Sequence, residues 1–235
     1  MKKLLSLLAI TAICICTINA QDNEHRQIEA SGKIITKEVS VQSFDQLEVS
    51  GLFNVLLSQG SKEEVKIEAD DNLQPFFEVK NDGSKLVITM KKDLNIKGKT
   101  RMNVYVTFRT LKSMALKTVG NVTSDKSLSF ENLKISNKSV GSIDLKLTTQ
   151  TLDVQNKSVG NVTLDGKAEN AVIKNNGVGS FLAAGFIVQK MDIENSGVGS
   201  AEVNAAKELK VKDSILGRVT NKGAASPRKM NKVTI

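Results

Sequence analysis

Few side chains in this sequence could carry out hydrolytic chemistry. Asp192 and Glu194 stand two residues apart, and on one face of a β-strand they would lie about 6.6 Å apart. Cleavage of a glycosidic bond uses two carboxyl groups about 5–9.5 Å apart. The pair is therefore the best catalytic candidate in the chain, although two acids spaced in this way more often belong to a solvated strand face.

Other catalytic chemistries lack the residues that they need. The only histidine is His25, and the only two cysteines, Cys14 and Cys16, lie in an apolar N-terminal segment. The sequence after this segment therefore offers no thiol nucleophile and no zinc–thiolate site. It contains neither a phosphate-binding P-loop nor a Gly-Gly-x-Gly-x-Asp calcium repeat. We expect no catalytic, cofactor or metal site, and hence a protein that is not an enzyme.

The first twenty residues have the layout of a secretory signal peptide. Lys2 and Lys3 precede an uncharged, mostly apolar run at 4–18, and Ala20 offers a small residue for cleavage. The run is shorter than the ~20 apolar residues that span a bilayer. We therefore expect export to the periplasm, the outer surface or the medium, with cleavage near Ala20.

The elements that must position any site come from an internal repeat. Its centre is a glycine that follows Val or Leu, at intervals of 21, 19, 19, 20 and 18 residues: Gly120, Gly141, Gly160, Gly179, Gly199 and Gly217. Apolar and polar residues alternate on both sides of each glycine, which is typical of half-buried strands. Glycine tolerates the positive φ and the close backbone approach of a tight corner. Stacking such copies about 4.8 Å apart buries one continuous apolar stripe, so we predict a parallel β-solenoid.

A polar column accompanies the repeat. Four residues before each glycine from the second copy onward stand Asn137, Asn156, Asn175, Asn195 and Asp213. Identical amides stacked at the strand spacing can hydrogen-bond to one another. We interpret the column as a structural ladder. The alternative is a row of ligand-binding amides.

The first half of the chain is predicted to be β-structure of a less regular kind. Alternation predicts strands at 33–41, 46–50, 52–58, 64–69, 76–80, 85–90, 102–108 and 111–116, with a hairpin at 81–84. We divide the chain into a signal peptide (1–20), an N-terminal segment (21–39), a β-helical domain (40–225) and a basic tail (226–235). Within the domain, 40–110 is the irregular part and 111–220 holds the regular repeats.

Positive charge is concentrated in one predicted loop, which contains Lys91, Lys92, Lys97, Lys99 and Arg101. Such a loop could contact lipopolysaccharide or acidic glycans, but it is more often a solubilising surface. Nucleic acid is not an expected partner, because the chain has one tyrosine and no tryptophan for base stacking and carries an export signal.

Three stretches resemble the opening of the head GIN domain family, secreted proteins of Bacteroidetes described as auto-transporter adhesins. They are FDQLEVSGLFNV at 44–55, QG at 59–60 and VKIEADDNL at 65–73. The resemblance extends over roughly 40–225 and implies a right-handed parallel β-helix without an established catalytic constellation. It implies an exported, adhesin-like protein. The partner stays open, with surface glycans and envelope components as the candidates. A polysaccharide-active enzyme that uses Asp192 and Glu194 and a structural envelope component are the alternatives, and the oligomeric state stays open.

Overall fold

The computed structural model describes residues 26–91 and 93–230, most of them in β-strands. The predicted signal peptide with its cleavage point, both cysteines, His25, Lys92 and residues 231–235 lie outside the described residues. In the part of the chain that is described, no helix is long and apolar enough to cross a bilayer.

Strands occupy both halves of the chain. The first half contains β1 (Arg26–Glu29), β2 (Ile34–Val39), β3 (Gln46–Gly51), β4 (Asn54–Gln59), β5 (Glu64–Asp70), β6 (Phe77–Asp82), β7 (Lys85–Met90), β8 (Leu94–Lys97) and β9 (Asn103–Phe108), and a short 3₁₀ turn (Gln74–Phe76) precedes β6. The second half contains β10 (Ser113–Thr118), β11 (Val122–Ser124), β12 (Leu128–Asn137), β13 (Ile143–Asn156), β14 (Val162–Asn175), β15 (Phe181–Asn195), β16 (Ala201–Asp213), β17 (Val219–Asn221) and β18 (Pro227–Lys229).

The second half forms the regular part of a parallel β-solenoid of about six turns. Each long strand from β12 to β16 pairs in parallel with the next one along the chain. Equivalent positions therefore stack, as in the row Leu133, Leu152 and Ala171. The predicted β-helix with its turn of about 19 residues is confirmed.

The first half contributes further turns to the same solenoid. β3 pairs in parallel with β7 and β10, and β4 pairs in parallel with β9 and β11. The turn built from β3 and β4 thus lies between two turns that follow it in the sequence. The irregularity predicted for this half comes from the antiparallel strands β2, β5 and β6, which pair with β5, β9 and β7 respectively.

Three strands were not predicted from the sequence: β1, β8 and β18, the last of which lies in the predicted basic tail. β1 and β8 pair with each other in parallel, and β8 runs through the basic segment that was predicted to be a loop. Each has only four residues, so neither gives a clear alternation of apolar and polar positions. The hairpin predicted at 81–84 is confirmed, because β6 and β7 pair antiparallel and meet at Asp82 and Lys85.

Columns of inward-facing side chains fill the interior. Large and small residues compensate one another between turns, since Phe181, which is fully buried, lies in register with Ala201. The register between β14 and β15 shifts after Thr163. β15 accommodates one extra residue there, which accounts for the 20-residue interval in the repeat. This packing fixes the outer columns at one strand spacing per turn.

Candidate interaction surface

The repeated glycine forms the corner between two sides of the solenoid. Gly141, Gly160, Gly179 and Gly199 have φ of +139°, +133°, +124° and +130°, which L side chains rarely adopt. A Cβ at Gly160 would overlap the backbone carbonyl of Gly141 on the previous turn. Gly120 and Gly217 differ, because their φ is not positive. Glycine is required at these two positions only because the backbone comes close to a carbonyl. A Cβ at Gly120 would overlap the carbonyl of Phe53, and a Cβ at Gly217 would overlap that of Asn195.

Four stacked asparagines lie on the inner side of this corner. Asn137, Asn156 and Asn175 each donate a hydrogen bond from Nδ2 to Oδ1 of the next asparagine, at 2.7 Å in every case. The four side chains are at most 3% exposed. We call this row, which ends at Asn195, the asparagine ladder. It satisfies polar groups inside the turn and presents no amide to solvent.

Asp213 is not a member of the ladder, which corrects the sequence prediction. It lies in register with Asn195, but it is exposed and its carboxylate forms an ion pair with Lys229 at 3.8 Å. The Nδ2 of Asn195 donates instead to the carbonyl of Gly199 at 3.4 Å. The physical reason is that an unpaired carboxylate is costly to bury, whereas a neutral amide is not once it is hydrogen-bonded.

The two acids that were the best catalytic candidates each have a lysine partner on the next turn. Asp192 lies 3.3 Å from Nζ of Lys210, and Glu194 lies 2.6 Å from Nζ of Lys212. The hydrogen bond and charge of Lys212 lower the pKa of Glu194, although partial burial opposes this. A general acid needs a raised pKa. Glu194 therefore lacks the raised pKa of a general acid, and both acids form ion pairs of the kind found on a solvent-exposed strand face.

The outer side of the glycine corner carries an exposed apolar row. Its five valines are each 51–53% exposed and are joined by parallel bridges from turn to turn: Val119, Val140, Val159, Val178 and Val198. Leu52 extends the row at one end and Leu216 at the other, with exposures of 39% and 68%. We call these seven residues the valine ridge, which is about 29 Å long at the ~4.8 Å strand spacing.

Two polar columns flank the valine ridge. On one side stand Lys117, Lys138 and Lys157, followed by Asn176 and Ser196; we call this the lysine column. On the other side stand Asn121, Ser142, Asn161, Ser180 and Ser200, which we call the Asn/Ser column. The Oδ1 of Asn121 accepts the N–H of Ser142 at 3.0 Å, and the Oδ1 of Asn161 accepts the N–H of Ser180 at 2.9 Å. These contacts use the amide oxygens, and the two NH₂ groups form no hydrogen bond to any described residue.

Sequence reasoning missed this surface, because the valine column was grouped with the other apolar columns. A signal was present in the spacing. Val159 lies seven residues after the buried Leu152, and a period of two places residues at odd separations on opposite faces. Within residues 26–91 and 93–230, no group of three or more acidic or histidine side chains is arranged to hold a metal ion.

Comparisons with known proteins relate this architecture to bacterial proteins described as putative adhesins. A family model described as "Putative auto-transporter adhesin, head GIN domain" matches residues 43–225. The crystal structure of a "putative adhesin" from Bacteroides fragilis is 27% identical, with a TM-score of 0.74, and the match covers 86% of this chain and 100% of that one.

Two structures from Parabacteroides distasonis share the fold. A "putative adhesin" is 20% identical, with a TM-score of 0.66 and coverage of 87% of this chain and 95% of that chain. A "putative lipid binding protein" is 14% identical, with a TM-score of 0.59 and coverage of 88% and 100%. At these identities the likeness shows the fold alone. No match was found among curated proteins.

Proposed function

Because this chain belongs to the head GIN domain family, whose description is "Putative auto-transporter adhesin", we propose that it is an exported, non-catalytic protein that binds through the outer face of its solenoid. One observation carries the proposal: a continuous exposed apolar row about 29 Å long lies between two polar columns. Exposed apolar surface that is contiguous and rimmed by polar residues marks interaction sites. The stacked backbone holds these columns rigidly, so little ordering is needed on binding.

Export is the part of the proposal that the N-terminal sequence supports. The predicted signal peptide would deliver the mature chain beyond the cytoplasmic membrane. The family description and the name of the Bacteroides fragilis structure agree with an extracytoplasmic role. We propose contact with surface glycans or envelope components on this basis.

Catalysis is disfavoured by the electrostatics of the acid pair. Asp192 and Glu194 are each matched to a lysine, and the pKa of Glu194 is lowered by Lys212. The test is to incubate the mature protein with a panel of polysaccharides and to measure new reducing ends and unsaturated products. We expect none. Cleavage that is lost in both Asp192→Ala and Glu194→Gln would overturn this part of the proposal.

The binding role is tested on intact cells. The mature protein is labelled and its retention on bacterial and host cells is compared with that of Val140→Ser/Val159→Ser, which removes two valines from the valine ridge. Val172→Ser/Ile187→Ser is the matched control, because these side chains are 42% and 47% exposed elsewhere on the solenoid. We expect the ridge variant alone to lose retention. Protease treatment of producing cells tests location, and a wholly periplasmic protein would refute the adhesin role.

A further inference from the structure

We propose that the valine ridge and its two flanking columns form a binding strip for a linear acidic polysaccharide, one that carries carboxylate or sulfate groups along its length. This inference rests on the proposed function and names the partner of the same surface. Three properties of the strip support it: its charge, its pairing of apolar with hydrogen-bonding groups, and its one-dimensional repeat.

The charge of the strip is one-sided. The lysine column, the valine ridge and the Asn/Ser column contain no acid. Lys117 pairs with Glu48 at 2.8 Å, whereas Lys138 and Lys157, exposed on the next two turns, form no ion pair with any described residue. Outside the strip, acids share the columns of the lysines: Lys134 pairs with Asp153 on the next turn, and Lys146 lies in register with Asp165. Unmatched positive charge at a fixed spacing favours a partner with repeated negative groups.

The neighbouring columns suit the rest of a sugar chain. A pyranose ring presents apolar C–H groups and hydroxyls side by side. The valine ridge offers apolar contact to the former, and the NH₂ groups of Asn121 and Asn161 offer donors to the latter. Ser142 lies between these two asparagines in the column, so amide and hydroxyl alternate from turn to turn. Over the four turns from Asn121 to Ser180 the pattern repeats every two turns, which matches a polymer with a disaccharide repeat.

The linear form of the strip favours a polymer over a small ligand. The ridge lies on the outer corner of a coil, and open pockets border its two ends, one lined in part by Leu52 and Val119 and the other by Leu216. A single sugar on the ridge would touch one or two turns only. A chain that runs along the ridge would contact each turn in succession. Weak contacts joined in this way add to a useful affinity, because every contact after the first is intramolecular.

Two other occupants fit the strip less well. A second copy of this chain would place the lysine column opposite either neutral Asn and Ser side chains or another lysine column, so the positive charge would stay unmatched. A lipid surface could match the lysines and valines. It would also bury the Asn/Ser column beside acyl chains, which cannot accept hydrogen bonds from the amides.

The experiment measures binding of the mature protein to hyaluronan, chondroitin sulfate and polygalacturonate of defined length by calorimetry. Dextran of matched length is the neutral control, and phosphatidylglycerol vesicles test the lipid surface. We expect binding to at least one of the acidic polymers, none to dextran, and weaker binding as salt is raised, since salt screens exposed charges.

The variants assign the site. Lys138→Gln/Lys157→Gln is expected to bind about tenfold or more weakly, because two charge-assisted hydrogen bonds are lost. Lys146→Gln/Lys167→Gln removes the same charge from exposed positions outside the strip and should stay within about twofold, since rim charges far from a contact contribute little. Val140→Ser/Val159→Ser should weaken binding without changing its salt dependence. Circular dichroism and melting curves that match wild type show that the variants are folded.

The outcomes separate the inference from the proposed function. If none of the three polymers binds, or if the two lysine variants weaken binding equally, the inference is overturned. Binding to the vesicles alone, or a dimer in solution that Val140→Ser/Val159→Ser dissociates, would overturn it in favour of a lipid or a second copy. In each of these cases, ridge-dependent retention on cells would leave the proposed function standing. If the ridge variant is also retained on cells like wild type, both the inference and the proposed function are overturned.

Discussion

The Nδ2 of Asn156 donates a hydrogen bond to Oδ1 of Asn175 at 2.7 Å, deep inside the corner of the solenoid. The Oδ1 of Asn156 accepts from Asn137 on the previous turn and from the hydroxyl of Ser158. Each interior amide of the ladder thus both donates and accepts, which is the condition for burying polar groups without a large cost. The ladder also specifies the register, because a slip of one residue would turn the amides outward.

Replacing Asn156 with Leu should destabilise the protein strongly. The change leaves Nδ2 of Asn137 and Oδ1 of Asn175 without their partners, and each stranded group costs about 1–3 kcal/mol. Lys157→Leu, one residue further along the same turn but exposed, should change the free energy of unfolding by less than about 0.5 kcal/mol. Urea denaturation of both variants measures the contrast. Equal effects would mean that the amide of Asn156 is not buried.

Gly160 should tolerate no side chain, although a positive φ alone is not the reason. Its φ is +133°, and a Cβ would overlap the carbonyl of Gly141. Gly83 in the hairpin also has a positive φ, of +58°, but its Cβ position is open. Gly160→Asn should therefore cost more than about 1–3 kcal/mol, the usual range for backbone strain. Gly83→Asn should cost far less, because Asn visits this left-handed region readily. Thermal melting compares them, and equal losses would contradict the close approach.

The register between β15 and β16 predicts a rescue in the core. Phe181→Ala should cost about 3–5 kcal/mol, as other buried Phe truncations do. Because Ala201 lies directly opposite on the next turn, adding Ala201→Phe to that variant should refill part of the volume and recover stability. Ala201→Phe alone should destabilise by overpacking. A double-mutant cycle with no favourable coupling between the two sites would show that they are not neighbours.

The sequence was sufficient to predict the stack of turns, because the period of two and the glycine spacing are both local signals. It did not reveal that β3 and β4 lie between turns that follow them, since no local pattern encodes which strands pair. It missed β1, β8 and β18, which have only three or four residues each, too few to show a period.

The site was harder to predict than the fold. In the sequence, Asp192 resembles half of a catalytic pair, but in the structure it lies beside Lys210. These two residues are 18 apart in the sequence and become neighbours only through the register of the turns. The exposure of the valine ridge depends in the same way on which face each column occupies after the chain bends at the glycine corner.

The ion pair of Glu194 with Lys212 predicts a pH-dependent contribution to stability. Lys212 holds the pKa of Glu194 below its ordinary value of 4.5. A depressed folded-state pKa gives stability that is present above 4.5 and is lost as pH falls through the lower folded value. Glu194→Gln should therefore reduce stability at pH 7 by about 0.2–1 kcal/mol, the range for partly exposed pairs, and the difference from wild type should vanish in acid.

Denaturation at a series of pH values measures this difference. Glu169→Gln is the control, because Glu169 is exposed and has no ion pair with a described residue. It removes the same charge and should show no loss at pH 7. A difference between wild type and Glu194→Gln that persists unchanged at low pH would contradict an electrostatic origin.

Tyr105 gives a spectroscopic test of the first turns, because it is the only tyrosine in the chain. Its hydroxyl donates a hydrogen bond to the carboxylate of Glu68 on the antiparallel neighbour β5. That bond, together with burial, raises the pKa of Tyr105 above its ordinary value of 10.0. Titration followed by tyrosinate absorbance should therefore have a midpoint above 10.0, provided that the protein is still folded. Glu68→Gln should lower this midpoint, because the negative charge that opposes tyrosinate formation is removed. Glu64→Gln, on the same strand but paired with Lys66, should leave it unchanged. A midpoint at or below 10.0 in wild type, or equal shifts in the two variants, would show that Tyr105 does not contact Glu68.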